Sequence, residues 1–528
     1  MNRDTFQELA AAGYNRIPVL REVLADTETP LSTFLKLGSG AYSYFFESVQ
    51  GGEKWGRYSI IGLPCHTVLR YANGEIRVEQ GGTVIEQHKT TDPFAFIESF
   101  QSQYKVAQLP GEPRFSGGLV GYFGYDTVRY VETKLGPGPG KDDIGTPDIL
   151  LMLSEELVVF DNLCGTISFI INADPQTSQA YERTQTRLDE LQRQLREPAP
   201  SSTRQATTEA TAKTTAKANT EATNKATAKA STKATAQPRQ KITERSFYHH
   251  FPQAEYEQGV QRIKDYIIAG DVMQVVLAQR MSVPFTGNPM NIYRALRYLN
   301  PSPYMVYFNM ADHHVVSASP EILARVENGH ITVRPLAGTR RRGTTEEEDQ
   351  ALEAELLADS KELAEHLMLI DLSRNDSGRV SVIGSVRVPQ KMFVERYSHV
   401  MHIASIVESQ LHPDKTALDV LQATLPVGTL SGAPKVRAME IIDELETDKR
   451  GIYGGAMGYL GWHNNMDMAI AIRTAVISKQ TLYVQAGAGI VADSQPDKEW
   501  EETQTKARAI VRAVQLAEKG LDLNLDLE

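Results

Sequence analysis

Residues 260–280 read VQRIKDYIIAGDVMQVVLAQR, and the period of the apolar residues changes inside that stretch. Val260, Ile263 and Ile267 recur at helical spacing, and Gly270 stands where a helix stops in the left-handed conformation that glycine adopts without strain. DVMQVVLAQR follows as a strand whose one face carries Val272, Gln274, Val276 and Ala278. Gln274 is thus a polar residue where water is scarce. Such an amide is either satisfied within a core or directed at a ligand.

Upstream, TVLRYA (67–72), EIRVEQ (75–80), ILLMLSEELVVFD (149–161) and TISFIINA (166–173) alternate with Gly, Asp and Asn turn signals and are expected as strands. SQAYERTQTRLDELQRQL (178–195) is expected as a helix. The predicted class is α+β with antiparallel sheets. Residues 197–240, beginning EPAPSSTRQATTEATAK, hold no aromatic residue and no aliphatic one larger than Ala. A stretch with so little to bury does not offset its ordering entropy, so 197–243 is expected to be a flexible tether. It separates an N-terminal region, 1–196, from a C-terminal one, 244–528.

Composition narrows the function. With 528 residues there is material for roughly three domains. Lys and Arg number 55 against 66 Asp and Glu, a net charge of −11, so no nucleic-acid partner is expected. No window approaches the length of an apolar membrane span, and the N-terminus lacks the basic and apolar regions of a secretory signal. Two cysteines, Cys65 and Cys164, form no disulfide framework. A cytoplasmic protein is expected.

Two carboxylate pairs stand out. In LLADSKELAEHLMLIDL (356–372), Leu352 just upstream joins Leu356, Leu363, Leu367 and Ile370 as the expected core stripe of one helix, and Glu362 and Glu365 lie three apart on another. In PDKEWEETQTKARAIVRAV (496–514), Glu499 and Glu502 open a helix whose buried face is Trp500, Thr503, Ala507 and Ile510. Each pair alone reads as a solvated helix face, and Glu502 with Lys506 is an ordinary i,i+4 ion pair. Together, four carboxylates with no His or Cys cluster suit Mg²⁺, which takes a few carboxylates plus water and substrate oxygens. GTLSGAPK (428–435) and QAGAGIV (485–491) lack the spacing of nucleotide-binding loops, and RRRG (340–343) reads as a solvated turn.

The ordered strings GDVMQVVLAQR (270–280), NPSPYMVYF (300–308), SASPEIL (317–323), RPLAGTRRRG (334–343), DSKELAEHLMLIDLSRND (359–376), LPVGTLSGAPK (425–435), AIAIRTAV (469–476) and QAGAGIVADS (485–494) resemble the chorismate-utilising enzymes, and within them the large subunits of anthranilate synthase, component I. FFESVQGGEKWGRYSIIG (45–62) extends the likeness more weakly into the N-terminal region. The resemblance implies antiparallel sheets packed as a sandwich with flanking helices. It also implies a lyase that turns chorismate and ammonia into anthranilate and pyruvate, feedback-inhibited by L-tryptophan. The ammonia would come from a separate glutamine amidotransferase subunit, component II.

Residue by residue, the likeness makes Glu321 the general acid for the departing C4 hydroxyl, which needs a pKa raised by burial. His402 assists loss of the C2 proton. Glu365 and Glu502 become the first Mg²⁺ ligands, with Glu362 and Glu499 as partners. Arg473, Tyr453 and the backbone at Gly487, Ala488 and Gly489 hold the enolpyruvyl carboxylate, and Gly338, Thr339, Thr429 and Lys506 complete the substrate cradle. Ser48, Pro303, Tyr304 and Met305 match the tryptophan site. Two residues separate subfamilies: Gln274 stands where water-adding relatives have a lysine base, and Ala337 where aminodeoxychorismate synthases have a lysine nucleophile. The rivals are therefore an aminodeoxychorismate synthase, which Ala337 opposes, and a silent tryptophan-binding subunit, which has no need of the acid and the carboxylates. Thr505, Phe45, Phe46 and Arg341 depart from the usual family residues.

Overall fold

The computed structural model describes residues 1–49, 56–198, 242–243, 246–397 and 400–523. The predicted tether lies outside them except at its ends. Within them, two twelve-stranded sheets are built of antiparallel neighbours. The first runs from Ile17–Leu24 through Thr166–Ala173, Glu156–Asp161, Tyr58–Gly62 and Ser43–Glu47, then on through Tyr304–Asn309, His313–Ser319, Thr474–Ser478 and Thr481–Ile490 to Gln274–Pro284. The second runs from Leu336–Arg341 through Val400–Gln410, His330–Val333, Ile322–Glu327, Met466–Ile470 and Ala456–Gly461. It continues through Gly118–Phe123 and Ile149–Ser154 to Thr67–Ala72 and the hairpin of Glu75–Gln80 and Thr83–Lys89.

Each sheet is completed by strands from before and after residues 197–243. Phe46 lies opposite Val306 in one, and Gly121 opposite Gly458 in the other. The two regions therefore do not pack as separate bodies. At the second junction the backbones approach closely: a Cβ on Gly118, at φ 143°, would lie 2.1 Å from the Leu460 carbonyl oxygen.

Between the sheets, Tyr44, Val159, Val306 and Phe308 of the first meet Tyr122, Leu150, Met152 and Met457 of the second in one buried cluster. Helices cover the outer faces: Leu188, Ile292, Leu296 and Ile510 pack on the first sheet, and Phe94, Ile97, Leu418 and Leu421 on the second. Inner strands are consequently buried on both faces, as all of Gly118–Phe123 and Ile149–Ser154 are. That explains apolar runs with no alternation.

Three local expectations change. The run 149–161, read as strand-like throughout, is two strands, Ile149–Ser154 and Glu156–Asp161, that belong to different sheets. The helix expected through 356–372 breaks at Asp359, whose extended backbone ends Glu346–Ala358 and whose carboxylate caps Ser360–Gly378 through the N–H groups of Lys361 and Glu362. Within Ser360–Gly378 the buried side is His366, Leu369, Ile370 and Ser373, so Leu367, expected in the core stripe, is 50% exposed while Leu356 and Ile370 are buried. The strand after Gly270 begins at Gln274, with Val275 and Leu277 as buried as Val276 and Ala278. The remaining periodic readings agree. Val260 and Ile263 are buried, Gly270 caps its helix at φ 86°, and Trp500, Thr503, Ala507 and Ile510 face inward. No helix among the described residues is long and apolar enough to cross a membrane.

Candidate active site

Two places where the chain leaves one sheet for the other lie side by side. His313–Ser319 of the first sheet is followed by Ile322–Glu327 of the second, and Met466–Ile470 of the second by Thr474–Ser478 of the first. Pro320, without an N–H, stands in the first crossover, and Arg473, at φ 50°, turns the second. Backbone bonds lock them together: Ile470 N–H donates to the Glu321 carbonyl (3.0 Å) and Ala318 N–H to the Arg473 carbonyl (3.2 Å). Glu321 and Arg473 are held by this junction.

Glu321 is buried and accepts a hydrogen bond from the Thr429 hydroxyl at 3.3 Å. Burial pushes its carboxyl up to about 8, against the opposing pull of Thr429, Arg334 and Lys506. Arg473 donates through Nη1 to the Lys506 carbonyl (2.9 Å), and its burial lowers the guanidinium's pKa while Tyr453 and Glu502 raise it. Lys506 Nζ donates to the Gly487 carbonyl (2.9 Å) and pairs with Glu502 (2.7 Å). Burial raises the Tyr453 phenol to about 12.

The strand carrying Gly487 and Gly489 has no room for side chains on the site face. A Cβ at Gly487 would lie 3.1 Å from the Tyr453 hydroxyl, and one at Gly489 would lie 2.4 Å from Gln274 Nε2. Strand alternation sends Ala488 the other way, into a cluster with Tyr256, Leu277 and Ile441. Its side chain therefore points away from the site, whose cradle is expected of the backbone at residues 487–489.

His402 faces Gly338 and Thr339 across adjacent strands. Its Nδ1 lies 3.1 Å from the Gly338 carbonyl and 3.0 Å from Thr339 Oγ1. A carbonyl only accepts, so Nδ1 carries the hydrogen and Nε2 the lone pair. Burial first, then Arg473 and Arg334, lower the imidazole to about 4, with the Gly338 bond opposing. It is neutral at pH 7.

The four glutamates converge. Glu365 is half-buried and accepts from Gln274 Nε2 at 3.2 Å. Its pKa is raised by burial and then by the charges of Glu362 and Glu502; Glu499 is raised by burial and by Glu502. Glu362 abuts Gly338, where a Cβ would lie 3.2 Å from its Oε2. Glu362 is also held by Arg340 at 3.3 Å, so the RRRG segment is not a solvated turn: Arg340 ties Glu355, Asp359 and Glu362 together, and Arg342 grips Asp349. Lys361 pairs with Asp493 at 3.2 Å and so spans the two acidic elements.

An all-carboxylate set in which Glu362 and Glu502 push up the pKa of Glu365, and Glu502 that of Glu499, fits a hard divalent ion. The set is open rather than a closed cage. Among the described residues, the group of three acidic and imidazole side chains whose ligand atoms all lie within 4.8 Å of one another is Asp143, His250 and Asp448, and there the Lys141 ammonium already bridges both carboxylates at 2.9 and 3.0 Å. The open glutamate set suits Mg²⁺, which keeps waters.

A separate cavity of about 900 Å³ is lined by Ser48, Pro303, Tyr304 and Met305. Tyr304 donates to Asp467 at 2.9 Å, and Arg325 grips the same carboxylate at 2.7 Å. Asp467 and Arg334 were not singled out in sequence. Arg334 stood at the head of the quoted RPLAGT string, and its field reaches both Glu321 and His402.

A family profile described as chorismate binding enzyme matches residues 44–512. The chain belongs to that family. It is an enzyme of the chorismate-utilising class and is 57% identical over 522 residues to anthranilate synthase component 1 of Pseudomonas aeruginosa, covering 99% of this chain and 100% of that one. Identity to the protein of the same name from Aquifex aeolicus is 47% over 512 residues, 96% of each chain. The crystal structure of anthranilate synthase component I from Streptococcus pneumoniae TIGR4 aligns with a TM-score of 0.72 at 36% identity, over 93% of this chain and 99% of that one. The menaquinone-specific isochorismate synthase of Escherichia coli, at 18% identity and a TM-score of 0.65 over 97% and 98% of the two chains, shares the fold.

Proposed function

We propose that this chorismate-utilising enzyme is the large subunit of an anthranilate synthase, converting chorismate and ammonia to anthranilate and pyruvate at the first committed step of tryptophan biosynthesis. The observation that carries the reading is Glu321, a buried carboxyl held up to about 8, beside Thr429 and next to the crossover bearing Arg473. At neutral pH it is an acid with a proton to give. Gln274 and Ala337 support the choice of product, because neither supplies an amine that could activate water or attack the ring.

Mg²⁺ held by Glu365 and Glu502, with Glu362 and Glu499 as partners or through water, supplies the positive charge that admits a dianion to four carboxylates. Arg473, Tyr453 and the backbone at Gly487 and Gly489 hold the enolpyruvyl carboxylate. Gly338, Thr339 and Lys506 bound the ring. Ammonia forms the bond at C2 as the C4–O bond breaks, and Glu321 protonates the departing hydroxyl to water. In the second step His402 Nε2 takes the C2 proton as the ring C3–O bond breaks, the ring becomes aromatic, and the departing enolate takes up a proton at its methylene carbon to give pyruvate. The low basicity of His402 rises when an anionic substrate sits beside it.

Ammonia reaches the site from a glutamine amidotransferase subunit, component II, in keeping with the component 1 names of the relatives. L-tryptophan occupies the cavity of Ser48, Pro303, Tyr304 and Met305 as feedback inhibitor; its lining of aromatic groups and both signs of charge suits an aromatic zwitterion.

The test is to incubate the protein with chorismate, Mg²⁺ and ammonium and follow anthranilate fluorescence and pyruvate together. Equal amounts of both are expected. A para-substituted aminobenzoate-type product, or tryptophan binding without turnover, would overturn the assignment. In Gln274→Lys, a base next to Glu365 admits water as nucleophile, so isochorismate is expected among its products; finding none counts against the role given to Gln274.

A further inference from the structure

Where the helix Lys435–Leu445 ends, Glu446 caps it, and Arg450 follows in the loop toward Tyr453. The two side chains are 3% and 1% exposed. Arg450 binds Glu446 through Nε at 2.9 Å and Nη2 at 2.6 Å. Its remaining bonds go elsewhere: Nη1 donates to the Leu430 carbonyl at 2.5 Å and Nη2 to the Val276 carbonyl at 2.8 Å. Glu446 in turn accepts from Ala278 N–H at 2.8 Å. The guanidinium lies 4.6 Å from the centre of the Tyr125 ring and 5.8 Å from that of Tyr453.

Apart from the one with Tyr125, each of these contacts touches an element that bears a site residue. Leu430 follows Thr429, the donor to Glu321. Val276 and Ala278 lie on the strand that begins with Gln274. Tyr453 is itself a cradle residue. A buried ion pair is a weak source of net stability, since apolar residues of like volume often replace one without loss. A planar fork with several donors is, however, well suited to fixing three backbone segments at once.

We propose that Arg450, oriented by Glu446, is a positioning residue of the reaction: it sets the spacing between the Thr429 loop, the Gln274 strand and Tyr453, and so between acid, nucleophile side and carboxylate clamp. This rests on the assignment of those residues to chorismate conversion. Displacements of about an ångström at reacting groups cost on the order of a hundredfold in rate.

The decisive protein is the full chain carrying Arg450→Met and Glu446→Leu together, assayed with chorismate, Mg²⁺ and ammonium beside the wild type. The expected result is a folded variant, by circular dichroism and thermal midpoint, with kcat lowered, KM for chorismate raised and kcat/KM down about a hundredfold. A role in stability alone moves the midpoint and leaves both constants of the folded fraction unchanged. Lys36→Gln, which breaks a pair with Glu28 far from the site, shows that pattern as a control. A folded double variant with kcat and KM within about twofold of wild type overturns the proposal. If the double variant does not fold, Arg450→Lys decides on the same terms, because it keeps the charge and loses the fork. A wild type that makes no anthranilate fails the functional assignment instead, and the positioning role falls with it.

Discussion

Around Glu365, carboxylates crowd one another although Arg340 and Lys506 hold two of them; around Tyr304, Glu47, Asp467 and Glu327 each face an arginine. In the first region Glu362 and Glu502 raise the pKa of Glu365, and Glu502 raises that of Glu499. In the second, Glu47 is bound by Arg297 at 2.8 Å and by the Tyr293 hydroxyl at 2.7 Å, Asp467 by Arg325 at 2.7 Å, and Glu327 by Arg114 at 3.0 Å. Both regions are lined by charge, and both lie against the same pair of sheets. The difference lies in the balance. An acidic cleft with excess like charge is completed by a cation before it receives an anion. A cavity whose acidic groups are mostly held by arginines suits a neutral zwitterion and needs no ion.

The sharpest probe of this contrast is Glu321→Gln. It removes the proton donor while keeping the shape, so kcat is expected to fall by roughly 10²- to 10⁴-fold. Stability moves the opposite way. Because burial raises the folded pKa of Glu321 to about 8, the wild type loses stability as pH rises from the ordinary carboxylate range through 8. The glutamine variant does not, so its thermal midpoint at pH 8.5 should exceed that of the wild type. Wild-type kcat/KM itself should decline above about pH 8 as the acid of the free enzyme ionises.

Next in size is Glu365→Gln. About a hundredfold more Mg²⁺ is expected for half-maximal activity, a loss comparable to or larger than those seen for groups that orient metal ligands. An unchanged Mg²⁺ requirement would remove Glu365 from the ion's coordination. Smaller again is Tyr304→Phe, which takes one hydrogen bond from Asp467, about 1 kcal/mol. The tryptophan concentration for half inhibition should rise several-fold while the Mg²⁺ requirement stays where it was. A shift in both would mean that the two regions are not electrostatically separate. Smallest is the effect of Mg²⁺ on the thermal midpoint without substrate, an increase of a few degrees at pH 7.5. It should fade toward pH 5, where protons relieve the same repulsion among groups whose folded pKa is raised.

Much of this was legible in the chain itself. The helix closed by Gly270, the inward face of Trp500, Thr503, Ala507 and Ile510, and the ordered strings around Glu321, Gln274 and Arg473 are local in sequence and depend on spacing alone. Other features were not. Leu367 has the helical spacing of Leu363 and Ile370, but which side of that helix is buried is set by what packs on it, and the fold buries His366, Leu369 and Ser373 instead. Arg340 reads as one of three loop cations until Glu355, Asp359 and Glu362 are brought to it by the fold.

What the sequence alone determined is the class of structure and the residues available for the proposed chemistry: strands and helices by their periods, Glu321, four glutamates and the glycine-rich strings by their motifs. Only tertiary structure decided that the run 149–161 parts between two sheets, and that Glu321 and Arg473 meet where neighbouring strands cross from one sheet to the other. The reason is physical. Strands buried on both faces carry no alternation to mark which sheet they join, and the pKa of a carboxyl is set by neighbours hundreds of residues away in the chain.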